Sequence, residues 1–135
     1  MKRLFYVLCL TVLMVSVLTG AAPTPNTTFI LLQDLPSTMS VGEAGTVIVH
    51  VESDQEFISI QALPSFQFPG KGVVAVQGGD RAGRGTSATL ELTFKAKGST
   101  AALPGGVAPV HVVVGVRYGG GYVAVQEYIF NVAVP

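Results

Sequence analysis

From residue 86 to residue 97 the chain alternates strictly, with Ala88, Leu90, Leu92, Phe94 and Ala96 apolar and Thr89, Glu91, Thr93, Lys95 and Lys97 polar. Successive side chains of a strand point to opposite faces, so this period of two describes a strand with one face in a core and one in water. No segment beyond residue 22 carries a helical period, whereas period two recurs. Strands are expected over residues 28–33, 46–52, 57–63, 73–76, 86–97, 110–118 and 121–134. In the second, Val47, Val49 and Val51 share one face while Ile48, His50 and Glu52 share the other. Between them lie turn signals such as Leu35-Pro36-Ser37 up to Gly42, and Pro64 after the third strand. Sixteen glycines and eight prolines fit many turns, and no Gly-X-Y period points to collagen. Seven strands in roughly 110 residues read as a single all-β sandwich.

The first residues set the compartment. Lys2 and Arg3 precede an apolar run from Leu4 to Leu18, and small residues follow at Thr19, Gly20 and Ala21. This is the three-part layout of a secretory signal-peptide helix with cleavage after Ala21. The run is shorter than the roughly 20 residues of a membrane-spanning helix. An uncleaved run would instead serve as an anchor, the chain's sole expected contact with a membrane. Both outcomes export the domain, to the periplasm, the cell surface or the medium, because the two charges stay inside. Cys9 lies mid-run behind Leu8, which does not suit lipidation. The division is then a signal peptide at 1–21, an extended leader at 22–27 and a β-sandwich at 28–135. After cleavage no cysteine is left, so neither disulfides nor thiol ligands contribute to stability.

The last two strands pose a register question. Val110, Val112, Val114 and Val116 share one face, and Tyr128, Phe130, Val132 and Val134 share one parity, but Val123 and Val125 have the other. A β-bulge at Gln126–Glu127 would reconcile them. With a two-residue Gly119–Gly120 turn, Val116 then faces Val123 and Val114 faces Val125. Plain alternation around a three-glycine loop would bury Gln126 instead.

Ser40-Val41-Gly42-Glu43 precedes a valine-rich strand. Residues 90–97, the strand running to Arg117-Tyr118, and residues 128–134 follow. Together this layout resembles the bacterial and archaeal immunoglobulin-like domains of surface-layer and adhesion proteins, over about residues 28–134. The resemblance implies a structural or binding module and transfers no catalytic residue. Such domains usually come in tandem. No internal repeat is present in this sequence, which suggests a small accessory subunit.

The search for chemistry yields little. Eight basic and eight acidic residues give no basic field for nucleic acid. In the glycine-rich stretch 78–86, Arg84 stands where a phosphate loop has Lys and Gly85 where it has a hydroxyl, and a strand follows rather than a helix. A mobile loop accounts for it better. Glu52, Asp54 and Glu56 could offer hard oxygens to calcium, yet alternation explains them better as a solvated strand end. His50 and His111 sit mid-strand on outward parities with nothing in the sequence to pair them for zinc or acid–base work. No cofactor and no metal are expected. Asn26-Thr27-Thr28 forms an N-glycosylation sequon, relevant only in a host with that machinery.

The expected function is an exported, non-enzymatic structural or protein-binding module of the cell envelope or surface, whose partner is another envelope or extracellular protein or an assembly of them. The alternative is a carbohydrate-binding module or an accessory domain of a secreted enzyme system; the absence of Trp counts against a sugar platform. The candidate partner surface is the tip of the final hairpin, with Arg117, Tyr118 and Tyr122 around Gly119–Gly121, and below it Val113, Ile129 and His111 on the outward face, with Gly115 and Ala124 between the strands. Arg and Tyr often dominate binding energy. Shielding of the hairpin end by the two tyrosines is the competing role. Mass spectrometry of the exported protein should find Ala22 as the first residue; a chain still carrying residues 1–20 would make the apolar run an anchor.

Overall fold

The computed structural model describes residues 23–65 and 73–135, so the expected signal peptide lies outside the described residues. Seven strands follow one another: β1 (Thr27–Gln33), β2 (Ala44–Ser65), β3 (Val74–Val76), β4 (Asp80–Ala82), β5 (Gly85–Ala96), β6 (Ala108–Tyr118) and β7 (Val123–Val132). All seven belong to one hydrogen-bonded antiparallel sheet in the order β3-β5-β2-β6-β7, with β1 and β4 also on β2. Its strands bury a common core, giving the expected all-β, sandwich-like architecture.

The sheet folds on itself because β2 serves both layers. Its first half pairs with β5, from Ala44↔Lys95 to Glu52↔Ser87, and on the other side with β1. Its second half pairs with β6, from Phe57↔Tyr118 to Ser65↔His111, and with β4 around Ile60↔Ala82. The register on β5 shifts between Glu52 and Phe57, where the strand changes layers. The separate strands expected at 46–52 and 57–63 are thus one 22-residue strand. The polar run around residues 52–56 does not break the strand; Glu52, Asp54 and Glu56 face solvent at the bend while Ser53 and Gln55 stay half-buried on the other face. Nor does Pro64 end it. Pro64 faces Val112, which directs its own N–H and C=O toward β7, so no ladder bond needs the missing donor.

Alternation accounts for the core. Val47, Val49 and Val51 of β2, Leu90, Leu92 and Phe94 of β5, and Val112, Val114 and Val116 of β6 are all buried, joined by Phe57 and Ile60 past the bend. The connection between β1 and β2, expected as a plain turn, instead buries Leu35 and Met39. It crosses to the far end of β7, where Ala133 N–H donates to Ser37 O (2.9 Å) and Met39 N–H donates to Ala133 O (2.9 Å). A Cβ on Gly45 would lie 3.0 Å from Leu35 Cδ2 and 3.1 Å from Pro36 Cδ, so that crossing rests directly on the glycine. On the other side of the chain end, buried Thr100 donates its N–H to Val134 O (2.7 Å), and its Oγ1 accepts from Val134 N (2.8 Å).

The glycine-rich stretch is not a plain loop, because β4 forms inside it. One oxygen of Asp80 accepts from Arg81 N (2.8 Å), the other from Glu91 N on β5 (2.9 Å), so the carboxylate links the segment to the other layer. Leu92→Ala should cost roughly 2–5 kcal/mol through lost transfer energy and a residual cavity. Glu91→Ala, on the exposed parity of the same strand, should stay within about 0.5 kcal/mol. Chemical denaturation of both variants compares them directly.

Candidate functional site

The hairpin of β6 and β7 turns through Gly119–Gly121, a three-residue loop closed by Tyr118 N–H donating to Tyr122 O at 2.9 Å. Gly120 and Gly121 have φ of 80° and 88°, which glycine adopts without strain. This loop length fixes a regular register, Arg117↔Val123, Val116↔Ala124, Gly115↔Val125 and Val114↔Gln126, continuing to Ala108↔Val132. The expected bulge at Gln126–Glu127 is absent, and with it the pairing of Val116 with Val123 and of Val114 with Val125. Val123 and Val125 point outward and are 51% and 61% exposed. Ala124 takes the inward parity rather than a place between the strands on the outer face. Gln126 shares that parity yet stays exposed, between Ala124 and Tyr128, which both pack against the core, and its amide donates to Glu127 O (3.0 Å). Plain alternation therefore buries no glutamine.

Of the expected tip residues, Arg117 and Tyr122 are exposed and Tyr118 is not. Tyr118 is 3% exposed; its hydroxyl donates to Ser53 Oγ (2.7 Å) and lies 2.6 Å from Thr27 Oγ1. It joins the end of β6 to the start of β1 and to the bend of β2, on the opposite face from Arg117. Tyr122 leans on its ring, with centroids 5.8 Å apart. Tyr118 is thus a core residue with a polar end, as buried tyrosines generally are.

Val113 and Ile129 lie on the outward face as expected, and the structure extends that face across three strands. Leu63 of β2 lies opposite Val113, and Val113 opposite Glu127; one row along, Gln61, Gly115 and Val125 align. Leu63, Val123, Val125 and Ile129 are all substantially exposed. His111 sits among them with its Nδ1 2.6 Å from Glu127 Oε1, so the one acid of β7 is held by its neighbour on β6. Sequence reading missed Leu63, Val123 and Val125. For Leu63 the period of β2 carried a signal, but for the valines the loop length alone decides the side.

The other candidates serve structure. Asp54 Oδ1 accepts from Asn26 N (2.8 Å), Glu52 Oε1 lies 3.3 Å from His50 Nε2, and Glu56 Oε1 accepts from Arg84 at 3.2 Å. The three acids flanking the bend thus face three different partners. No group of three or more His, Cys, Asp or Glu side chains placed to hold a metal occurs among the described residues. Tyr128, on the inner parity of β7, stacks on Phe130 with centroids 6.4 Å apart, and burial raises its phenol above the ordinary value.

Tyr118→Phe removes the hydroxyl that Ser53 and Thr27 share and should cost about 1–2 kcal/mol. Tyr122→Phe should change stability by less than about 0.5 kcal/mol. Urea titrations read both.

No family model matches this sequence, and no curated protein sequence matches it significantly. Among solved structures the chain is similar to the native conformation of alpha-2-macroglobulin of E. coli, with 13% identity and a TM-score of 0.48 over 84% of this chain and 7% of that one. It is also similar to Spo0M, a sporulation control protein from Bacillus subtilis, with 18% identity and a TM-score of 0.44 over 84% of this chain and 51% of that one. A third is a conjugative transposon lipoprotein from Bacteroides eggerthii, with 19% identity and a TM-score of 0.42 over 77% of this chain and 95% of that one. The chain spans a small fraction of the first of these proteins and about half of the second.

Proposed function

We propose that this chain is an exported, non-enzymatic module of the cell envelope or surface that binds another envelope or extracellular protein through the hairpin of β6 and β7, in the manner of an immunoglobulin-like adhesion domain. One observation carries the reading. The outward face of this hairpin gathers Val123, Val125, Ile129 and the neighbouring Leu63 into one exposed apolar surface, with Arg117 and Tyr122 at its end. Scattered exposed apolar residues are ordinary, but a contiguous group rimmed by polar side chains favours a protein contact. Arg117 and Tyr122 supply the residue types that anchor interfaces. The charged start and apolar run of residues 2–18 support export.

The double substitution Arg117→Ala with Tyr122→Ala tests the reading, because neither side chain is in the core. Binding at the tip requires an unchanged melting temperature and loss of the envelope protein that cross-links to the wild-type chain. A lowered melting temperature with the cross-linked protein retained would make the tip structural. Glycan arrays probed with the wild-type protein should show no signal; a glycan hit would transfer the surface to carbohydrate.

A further inference from the structure

We propose that β7 is the pairing edge for a second copy of this chain, joining two molecules through β7 against β7 in antiparallel, two-fold fashion. This goes beyond the hairpin face described above, because it uses the backbone edge and names the partner.

The edge follows from hydrogen-bond parity. Tyr118 N–H donates to Tyr122 O, which makes that pair and every second pair along the ladder hydrogen-bonded. The even-numbered residues of β7 therefore turn their N–H and C=O toward β6. The odd-numbered ones, Val123, Val125, Glu127, Ile129 and Asn131, turn theirs away from it. Ala133, next in this series, already uses that edge, pairing with Ser37 and Met39. For the five residues before it, no backbone N–H finds an acceptor among the described residues, and the one carbonyl engaged, Glu127 O, is held by the Gln126 side chain.

The other edges carry protection that β7 lacks. β1 has a register shift between Leu31 and Gln33, and β3 and β4 are three residues each. Bulges and shortness are the usual defences of a sheet edge, along with proline and lysine. β7 runs ten residues in unbroken register, without proline or lysine, and its only charge is drawn to His111 at 2.6 Å.

The sequence of β7 also fits its own copy. Centring the two-fold on Gln126 places Val123 opposite Ile129 of the second copy, Val125 opposite Glu127, and Gln126 opposite Gln126. Like charges directly opposite are destabilising. Centring on Tyr128 would pair as many of the free odd-numbered residues and also keep the two Glu127 side chains apart, but it brings Val123 against Ala133 of the second copy, whose edge already pairs with Ser37 and Met39. Residues opposite at a non-hydrogen-bonded position have Cα atoms about 4.5 Å apart, within disulfide range. Gln126 occupies such a position at the centre of the new pairing.

The test uses the protein recovered after export. Sedimentation equilibrium should give twice the chain mass, and the amides of Val123, Val125 and Ile129 should gain hydrogen-exchange protection as concentration rises. Gln126→Cys should form a disulfide-linked dimer on mild oxidation, while Val123→Cys, far from its own copy in this register, should stay monomeric. Val125→Pro removes an N–H that β6 does not use and should abolish the dimer; Val125→Thr should keep it. A monomer at every concentration, equal cross-linking of both cysteines, or a dimer that survives Val125→Pro in a folded protein would each overturn the proposal. If Val125→Pro does not fold, the unsubstituted protein's exchange pattern decides: protection of these amides that does not change with concentration overturns it.

Discussion

Everything in this fold depends on one strand belonging to two layers. β2 gives its first half to β5 and β1, and its second half to β6 and β4. Its bend between Glu52 and Phe57 brings the inner face of β6 into the same core as β5. The bend is held from several directions: Tyr118 reaches Ser53 and Thr27, Asp54 is tied to Asn26, and Glu56 accepts from Arg84. Polar residues that look dispensable in the sequence thus cluster where the strand most needs fixing. Each surface contact is worth little alone; Tyr118 matters more because it is itself buried and its hydroxyl meets two half-buried partners.

A second consequence is a core built largely of valine. Val47, Val49, Val51, Val112, Val114, Val116, Val132 and Val134 are all fully buried. Valine is stiff at χ1, so its burial costs little side-chain freedom and suits the pleated surface. The larger side chains Phe57, Phe94, Leu90 and Met39 complete it without any cysteine among the buried residues. Hydrogen bonds fasten the chain end as well, through Thr100 on one side and residues 37–39 on the other.

Much of this was legible in the sequence, for a physical reason. Where one face is buried, the period of two is enforced residue by residue, and residues 86–97 and 110–118 read correctly on that basis. The apolar period lapses where a strand bends. Residues 52–56 therefore looked like an interruption of what is one strand, and β4 was hidden among glycines. Met39 and Leu35 looked like turn residues because their burial comes from a crossing that no local pattern encodes. The candidate surface was half legible. Arg117, Tyr122, Val113 and Ile129 sit as their parities require, but Val123 and Val125 were assigned to the core by assuming that every apolar residue seeks it. A two-residue turn and a three-residue turn give opposite faces to all that follows, and three consecutive glycines permit either.

The shared strand also governs how the chain reaches its fold. Among the described residues, only the hairpin of β6 and β7 and the pairing of β1 with β2 join neighbours in sequence. β2 must otherwise wait for residues up to 96 to complete one layer and for residues up to 118 to complete the other. Loop-closure entropy is then spent before distant contacts return it, which places such topologies among the slow folders, in the range of milliseconds to seconds. For a chain that emerges from its N-terminus first, β2 is the earliest long apolar strand to appear and among the last to be covered. Its exposure time is set by the arrival of β6, and for that interval the apolar face of β2 has no partner to cover it.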